Sequence, residues 1–202
     1  MKTMAVQLWP GPVPVPQDGL FAILIDLTAT PPPAGPQRDI ARSRIRLATR
    51  EALAAVLRVR VGDISIASQP GEPPRILLAG SVCRIGCSFS HDGNYALAAI
   101  NLQGPVGTDL MQIQDIPDWQ AVVRDYLGPD AVAALLTAAD RPLALAEAWT
   151  RYEARLKLSG LHLSEWTGHA PDAAIHLQSL ILPAGMAGTL AYRPSDTTPP
   201  QQ

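Results

Sequence analysis

Asp109, Glu153 and Lys157 are the side chains in this sequence whose types and spacing most readily do chemistry together. Asp109 ends the segment Pro105-Val-Gly-Thr-Asp109, which reads as a strand presenting one carboxylate. In Trp149-Thr-Arg-Tyr-Glu-Ala-Arg-Leu-Lys157 the Trp, the Glu and the final Lys recur every four residues, so a helix stacks them one turn apart. Two hard oxygen donors and an ammonium, brought together from distant segments, suit a divalent cation on a diphosphate. Taken singly, Glu153 and Lys157 read as an exposed helix pair worth about a few tenths of a kcal/mol, and Asp109 as a turn residue. The functional reading rests on the set. Upstream, Ser90-His91-Asp92-Gly93 reads as an Asp-Gly turn between strands, projecting a hydroxyl and an imidazole where they could bind phosphate oxygens. A Ser–His nucleophile pair is the competing idea, but adjacent strand residues point to opposite faces. Arg42, Arg46 and Arg50, four apart, are either a solvated basic face or a grip on a phosphate.

These residues need elements to position them. Residues 5–9 and 20–28 read as strands, separated by Pro10, Pro12, Pro14 and Pro16, which cannot sit inside a sheet. Pro31-Pro32-Pro33 ends the second strand. Asp39 is the expected N-cap of a helix over 39–59, with Ile45, Ala48, Ala52 and Val56 on one stripe. Residues 63–68 read as a strand, 69–74 as a turn, and 75–79 with 83–88 as a hairpin around Gly80-Ser81. A buried strand over 95–101 continues, after a Gly-Pro turn, as 106–111. Short helices follow over 118–126 and 130–139. A long one runs from Pro142 to about Ser159, closed by Gly160, with Leu145, Trp149, Tyr152 and Leu156 as its apolar stripe. Strands over 173–182 and 188–192 form a last hairpin. The pattern predicts an α+β protein of two similar subdomains, a pseudo-dimer in which each half is a small antiparallel sheet packed with a long helix. Residues 1–104 make the N-terminal subdomain, 105–192 the C-terminal one, with a cleft between them, and 193–202 a disordered tail.

The chain has 202 residues, 47% of them hydrophobic, enough for a real core. A net charge of −2 argues against a general nucleic-acid binder. No apolar run approaches the roughly 20 residues of a membrane span, and the order of segments in a signal peptide is missing. The expectation is a cytoplasmic monomer with no membrane partner. Cys83 and Cys87 sit four apart on a strand, too far along it for easy bridging, and read as reduced thiols. Fourteen Arg stand against two Lys, Lys2 and Lys157. Lysine on an interior helix of such a chain hints that a compact point charge is wanted there.

Read in order, Gly71-Glu-Pro73, Phe89-Ser-His91, Pro105-Val-Gly-Thr-Asp109 and the segment Trp149–Lys157 resemble the blocks of the larger, monomeric 4'-phosphopantetheinyl transferases, which activate peptide and polyketide synthases. The family pattern is Gly-Lys-Pro, Ser-His, Gly-x-Asp-x-Glu and Trp-x-x-Lys-Glu-x-x-x-Lys. The resemblance implies a pseudo-dimeric fold that binds coenzyme A in its cleft with Mg2+ on the diphosphate. It further implies transfer of the pantetheine arm to a serine of an acyl or peptidyl carrier protein. By position Asp109 and Glu153 look like metal ligands and Lys157 like the diphosphate contact. Ser90, His91 and Arg50 look like contacts to the adenosine 3'-phosphate region. Three positions depart from the pattern. Met111 replaces the Glu of Gly-x-Asp-x-Glu, and thioether sulfur is a poor ligand for magnesium. Glu72 replaces the Lys of Gly-Lys-Pro, which Arg75 could offset, and Tyr152 replaces the Lys before Glu153. The alternative is therefore a member that binds coenzyme A or a carrier protein without transfer. A third reading is an α+β domain of unrelated function. Asp115 and Asp118 are candidate bases for the serine proton.

Overall fold

The computed structural model describes residues 2–28, 37–69, 71–168 and 172–194. Along the chain come β1 (Lys2–Ala5), β2 (Gln7–Leu8), β3 (Leu20–Asp26), α1 (Gln37–Leu57), β4 (Ile64–Ala67), β5 (Arg75–Leu78), β6 (Ser81–Asp92), β7 (Tyr95–Asn101) and β8 (Val106–Gln112). Three helices follow, α2 (Trp119–Tyr126), α3 (Pro129–Leu136) and α4 (Arg141–Ser159), then β9 (His176–Ile181) and β10 (Met186–Tyr192). The protein is α+β, with two mixed sheets in the orders β2-β3-β7-β6-β5-β4 and β1-β9-β10-β8.

The expectation of purely antiparallel sheets needs correcting. β1 runs parallel to β9 and β2 parallel to β3, each on the edge of a different sheet. Neither pair is joined by a tight turn: most of the chain lies between β1 and β9, and residues 9–19 separate β2 from β3, so the connections are long enough for parallel pairing. The strand expected over 5–9 is thus two short strands split between the sheets, and the chain begins in the sheet that otherwise belongs to its second half. Likewise β8 does not continue the sheet of β7; it pairs with β10.

β3 and β7 are buried on both faces, which explains their unbroken apolar runs. Ile23, Ile25, Ala98 and Ile100 meet Ile45, Ala52 and Leu53 of α1. Ala22, Leu24, Leu97 and Ala99 meet Val106, Leu180 and Leu190 of the other sheet. On the far side of that second sheet Ala191 packs with Ala154 and Leu158 of α4. The result is four layers: helix, sheet, sheet, helix.

α4 has the ends its sequence calls for. Asp140 accepts from the Leu143 N–H at 3.0 Å, a proline sits in the first turn, and Gly160 closes the helix at φ 65°. Of the expected stripe only Leu145 is buried; the rest of the buried face is Ala146, Thr150, Ala154 and Leu158 rather than Trp149, Tyr152 and Leu156. Small residues face the sheet because helix and strand approach closely there. α1 starts at Gln37, so Asp39 lies within its first turn instead of capping it. The β5–β6 turn is Ala79-Gly80, both at positive φ, one residue earlier than expected. Pro31-Pro32-Pro33 and the tail from 195 onward lie outside the described residues. Both cysteines are free, and burial pushes the Cys87 thiol up to about 12. Among the described residues no helix is long and apolar enough to cross a membrane.

Candidate functional site

A cleft of about 950 Å³ opens between α1 and β6 on one side and β8 and α4 on the other. That is the size of pocket that takes a cofactor-sized ligand. Asp109 reaches it because β8 alternates: Val106 and Leu110 face the sheet–sheet core, and Gly107, Asp109 and Met111 face α4. α4 in turn presents Trp149, Glu153 and Lys157 beside its buried stripe. Gly107 permits the approach, since a Cβ there would stand 2.0 Å from the Ala154 carbonyl oxygen.

The contacts are short. Lys157 Nζ donates to Asp109 Oδ1 at 2.7 Å and to the Phe89 carbonyl at 3.4 Å. Ser90 Oγ donates to the same Asp109 Oδ1 at 2.8 Å. The side chain of Asp109 is 10% exposed and that of Lys157 30%. Glu153 is half-buried, and its carboxyl is raised above the usual glutamate range, first by burial and then by Asp109, with Lys157 pulling it partly back. A carboxyl raised on folding favours the folded state while protonated. That contribution is present below the ordinary value of about 4.3 and is lost as pH rises through the folded one. Glu153→Gln is therefore expected to raise the Tm in mildly alkaline buffer, with the gain shrinking toward about pH 4. Thermal unfolding at the two pH values checks this; an equal gain at both would show that charge is not the cause.

The cleft thus brings together Asp109, Glu153, Lys157, Ser90 and His91. It does not bring in Arg50 or Arg75. Arg50 donates through Nε to the Ile64 carbonyl at 2.7 Å and through Nη2 to Val61 at 3.3 Å, pinning α1 to the start of β4. Arg75 pairs with Glu72 at 2.8 Å on the surface and faces a separate groove. Arg42 and Arg46, the other two arginines of that helical series, line the cleft instead, with the Arg46 guanidinium 5.4 Å from the Phe89 ring centre. Spacing by four put all three on one side of α1 but could not tell which end of it meets the cleft. Asp115 and Asp118 stand outside the cleft, Asp115 paired with Arg141 at 2.8 Å. His162, just past α4, also lines the cleft, and no sequence pattern marked it. Ser90 and His91 point to opposite faces of β6, as alternation requires, so they do not form a nucleophile pair.

Two carboxylates on one wall are what a magnesium ion needs when waters and substrate phosphates complete its shell. Burial does most to raise Glu153, and the smaller contribution from the Asp109 charge is one that a cation between the two carboxylates would relieve, which is the respect in which the pair fits such an ion. Among the described residues no group of three or more His, Cys, Asp or Glu could hold a metal. Met111 lines the cleft, yet its side chain packs against the small apolar cluster of Trp119, Val123, Leu135 and Leu145. That packing is a local reason for a thioether at this position. No protein-family model matches the chain, and no curated protein matches it.

Proposed function

We propose that the protein transfers the 4'-phosphopantetheine arm of coenzyme A to a serine of an acyl or peptidyl carrier protein. The observation that carries this reading is the wall of the cleft where Asp109 of β8 meets Lys157 of α4 at 2.7 Å, with Glu153 one helical turn away. In this reading the two sheet-and-helix halves are a pseudo-dimer, acting as a monomer in the cytoplasm. The carrier serine oxygen attacks the phosphorus that bears pantetheine. The bond from that phosphorus to the bridging oxygen breaks, adenosine 3',5'-bisphosphate leaves, and the serine proton passes to a base. Such transfers depend on alignment and charge neutralisation more than on covalent help. Asp109 and Glu153 would hold magnesium, which when bound neutralises diphosphate charge. Lys157 would offer its ammonium to the same oxygens, and Arg46 and His91 line the stretch of cleft left for the nucleotide.

The test is incubation with coenzyme A, magnesium and a panel of apo carrier proteins, read by mass spectrometry. The gain of one phosphopantetheine arm is expected; no transfer to any carrier would count against the reading.

Met111 favours a second reading, a protein that binds coenzyme A or a carrier without transfer, because it supplies no third oxygen donor. Calorimetry separates the two: coenzyme A binding that persists in EDTA, with no turnover, supports the binder. Met111→Glu would set a carboxylate against the apolar cluster of Trp119 and Leu145, at a cost of about 1–3 kcal/mol. Its Tm should therefore fall in EDTA and recover in part with magnesium. A fall that magnesium leaves untouched would show that this position cannot join a metal site.

A further inference from the structure

β8 is the last strand of its sheet, and an open strand edge must find partners for its N–H groups. Here the partners are side chains. Thr108, Leu110 and Gln112 donate to Ser88 Oγ at 3.0 Å, Ser90 Oγ at 3.2 Å and Asp92 Oδ2 at 2.7 Å. The acceptors are alternate residues of β6, so the side-chain period of one strand matches the N–H period of the other. This seam fastens the two sheets along the floor of the cleft.

Ser90 also donates, to Asp109 Oδ1 at 2.8 Å. A hydroxyl has one hydrogen to give, and Ser90 is only 8% exposed. Its hydrogen is committed to Asp109 and a lone pair to Leu110. The Asp109 carboxylate is thereby held between a serine of one sheet and a lysine of the helix over the other. We infer that Ser90 is a positioning residue for Asp109, not a contact to the 3'-phosphate of the nucleotide. The inference rests on the transferase reading for its ligand, but the contacts it acts through do not.

The test is a cycle of four chains: wild type, Ser90→Ala, Asp109→Asn and the double variant. Each is titrated in magnesium with coenzyme A and with dephospho-coenzyme A, which lacks the 3'-phosphate. Ser90→Ala is expected to weaken both ligands equally, by about tenfold, the scale of a hydrogen bond to a charged group. Its further cost should shrink once Asp109 is asparagine, because a hydrogen bond to a neutral amide oxygen is worth less than one to a carboxylate. A loss confined to coenzyme A, or one undiminished in the Asp109→Asn background, overturns the inference. If wild type binds neither ligand the transferase reading falls, and thermal unfolding of the same four chains decides the positioning role. Non-additive Tm losses uphold it and additive ones overturn it. Should Ser90→Ala not fold, Ser90→Cys, similar in size and a weaker donor, is read in the same cycle with the same two outcomes.

Discussion

Gly107→Ala is expected to unseat α4 and to take the site apart with it. The added Cβ would stand 2.0 Å from the Ala154 carbonyl oxygen and 2.5 Å from the Leu158 nitrogen. Both are helix backbone, which cannot swing aside as a side chain can, so the helix must lift. Overpacking costs about 1–3 kcal/mol, and a rigid clash belongs at the upper end. For a chain of this size that corresponds to a Tm loss of roughly 6–12 °C. Residues 154 and 158 are the immediate neighbours of Glu153 and Lys157, so the lift also draws the ammonium away from Asp109. Stability and coenzyme A binding should therefore fall together, as scanning calorimetry and ligand titration would show. Gly62→Ala is the control, since nothing lies within 4 Å of the Cβ it would add. An unchanged Tm in Gly107→Ala would mean that α4 is not seated on β8 in this way.

Under the transferase proposal, Asp109→Ala should be the most damaging change to activity. It removes one of two oxygen donors and leaves the Lys157 ammonium, 2.7 Å from the lost carboxylate, without its ion-pair partner. If the bound cation contributes several kcal/mol to the transfer, the loss is at least about a thousandfold, below detection in a carrier-loading assay. Folding should suffer as well, because removing one member of a sheltered pair strands the other. Lys157→Met made in the same chain removes the stranded charge. The pair Asp109→Ala with Lys157→Met is thus expected to regain Tm relative to Asp109→Ala alone while remaining unable to load a carrier. Recovery of transfer in that double variant would show that neither residue takes part in the chemistry. No recovery of Tm would show that the pair is not coupled.

Much of this protein was legible in the order of its residues. Pro142 and Gly160 marked the ends of α4, the apolar residues within 20–28 marked a strand and those of 95–101 a buried one, and spacing by four placed Glu153 one turn from Lys157. These are local properties, set by backbone conformation and by the period of one element. What two elements do to each other is not local. That β1 joins the sheet of the second half, that Ala146, Thr150 and Ala154 rather than Trp149 face that sheet, and that Arg46 reaches the cleft where Arg50 does not, follow from packing alone. The same holds for the hydrogen bond from Ser90 to Asp109, which spans 19 residues and two sheets. Sequence spacing chose the chemical groups; the close approach at Gly107 and the seam between β6 and β8 decided which of them meet.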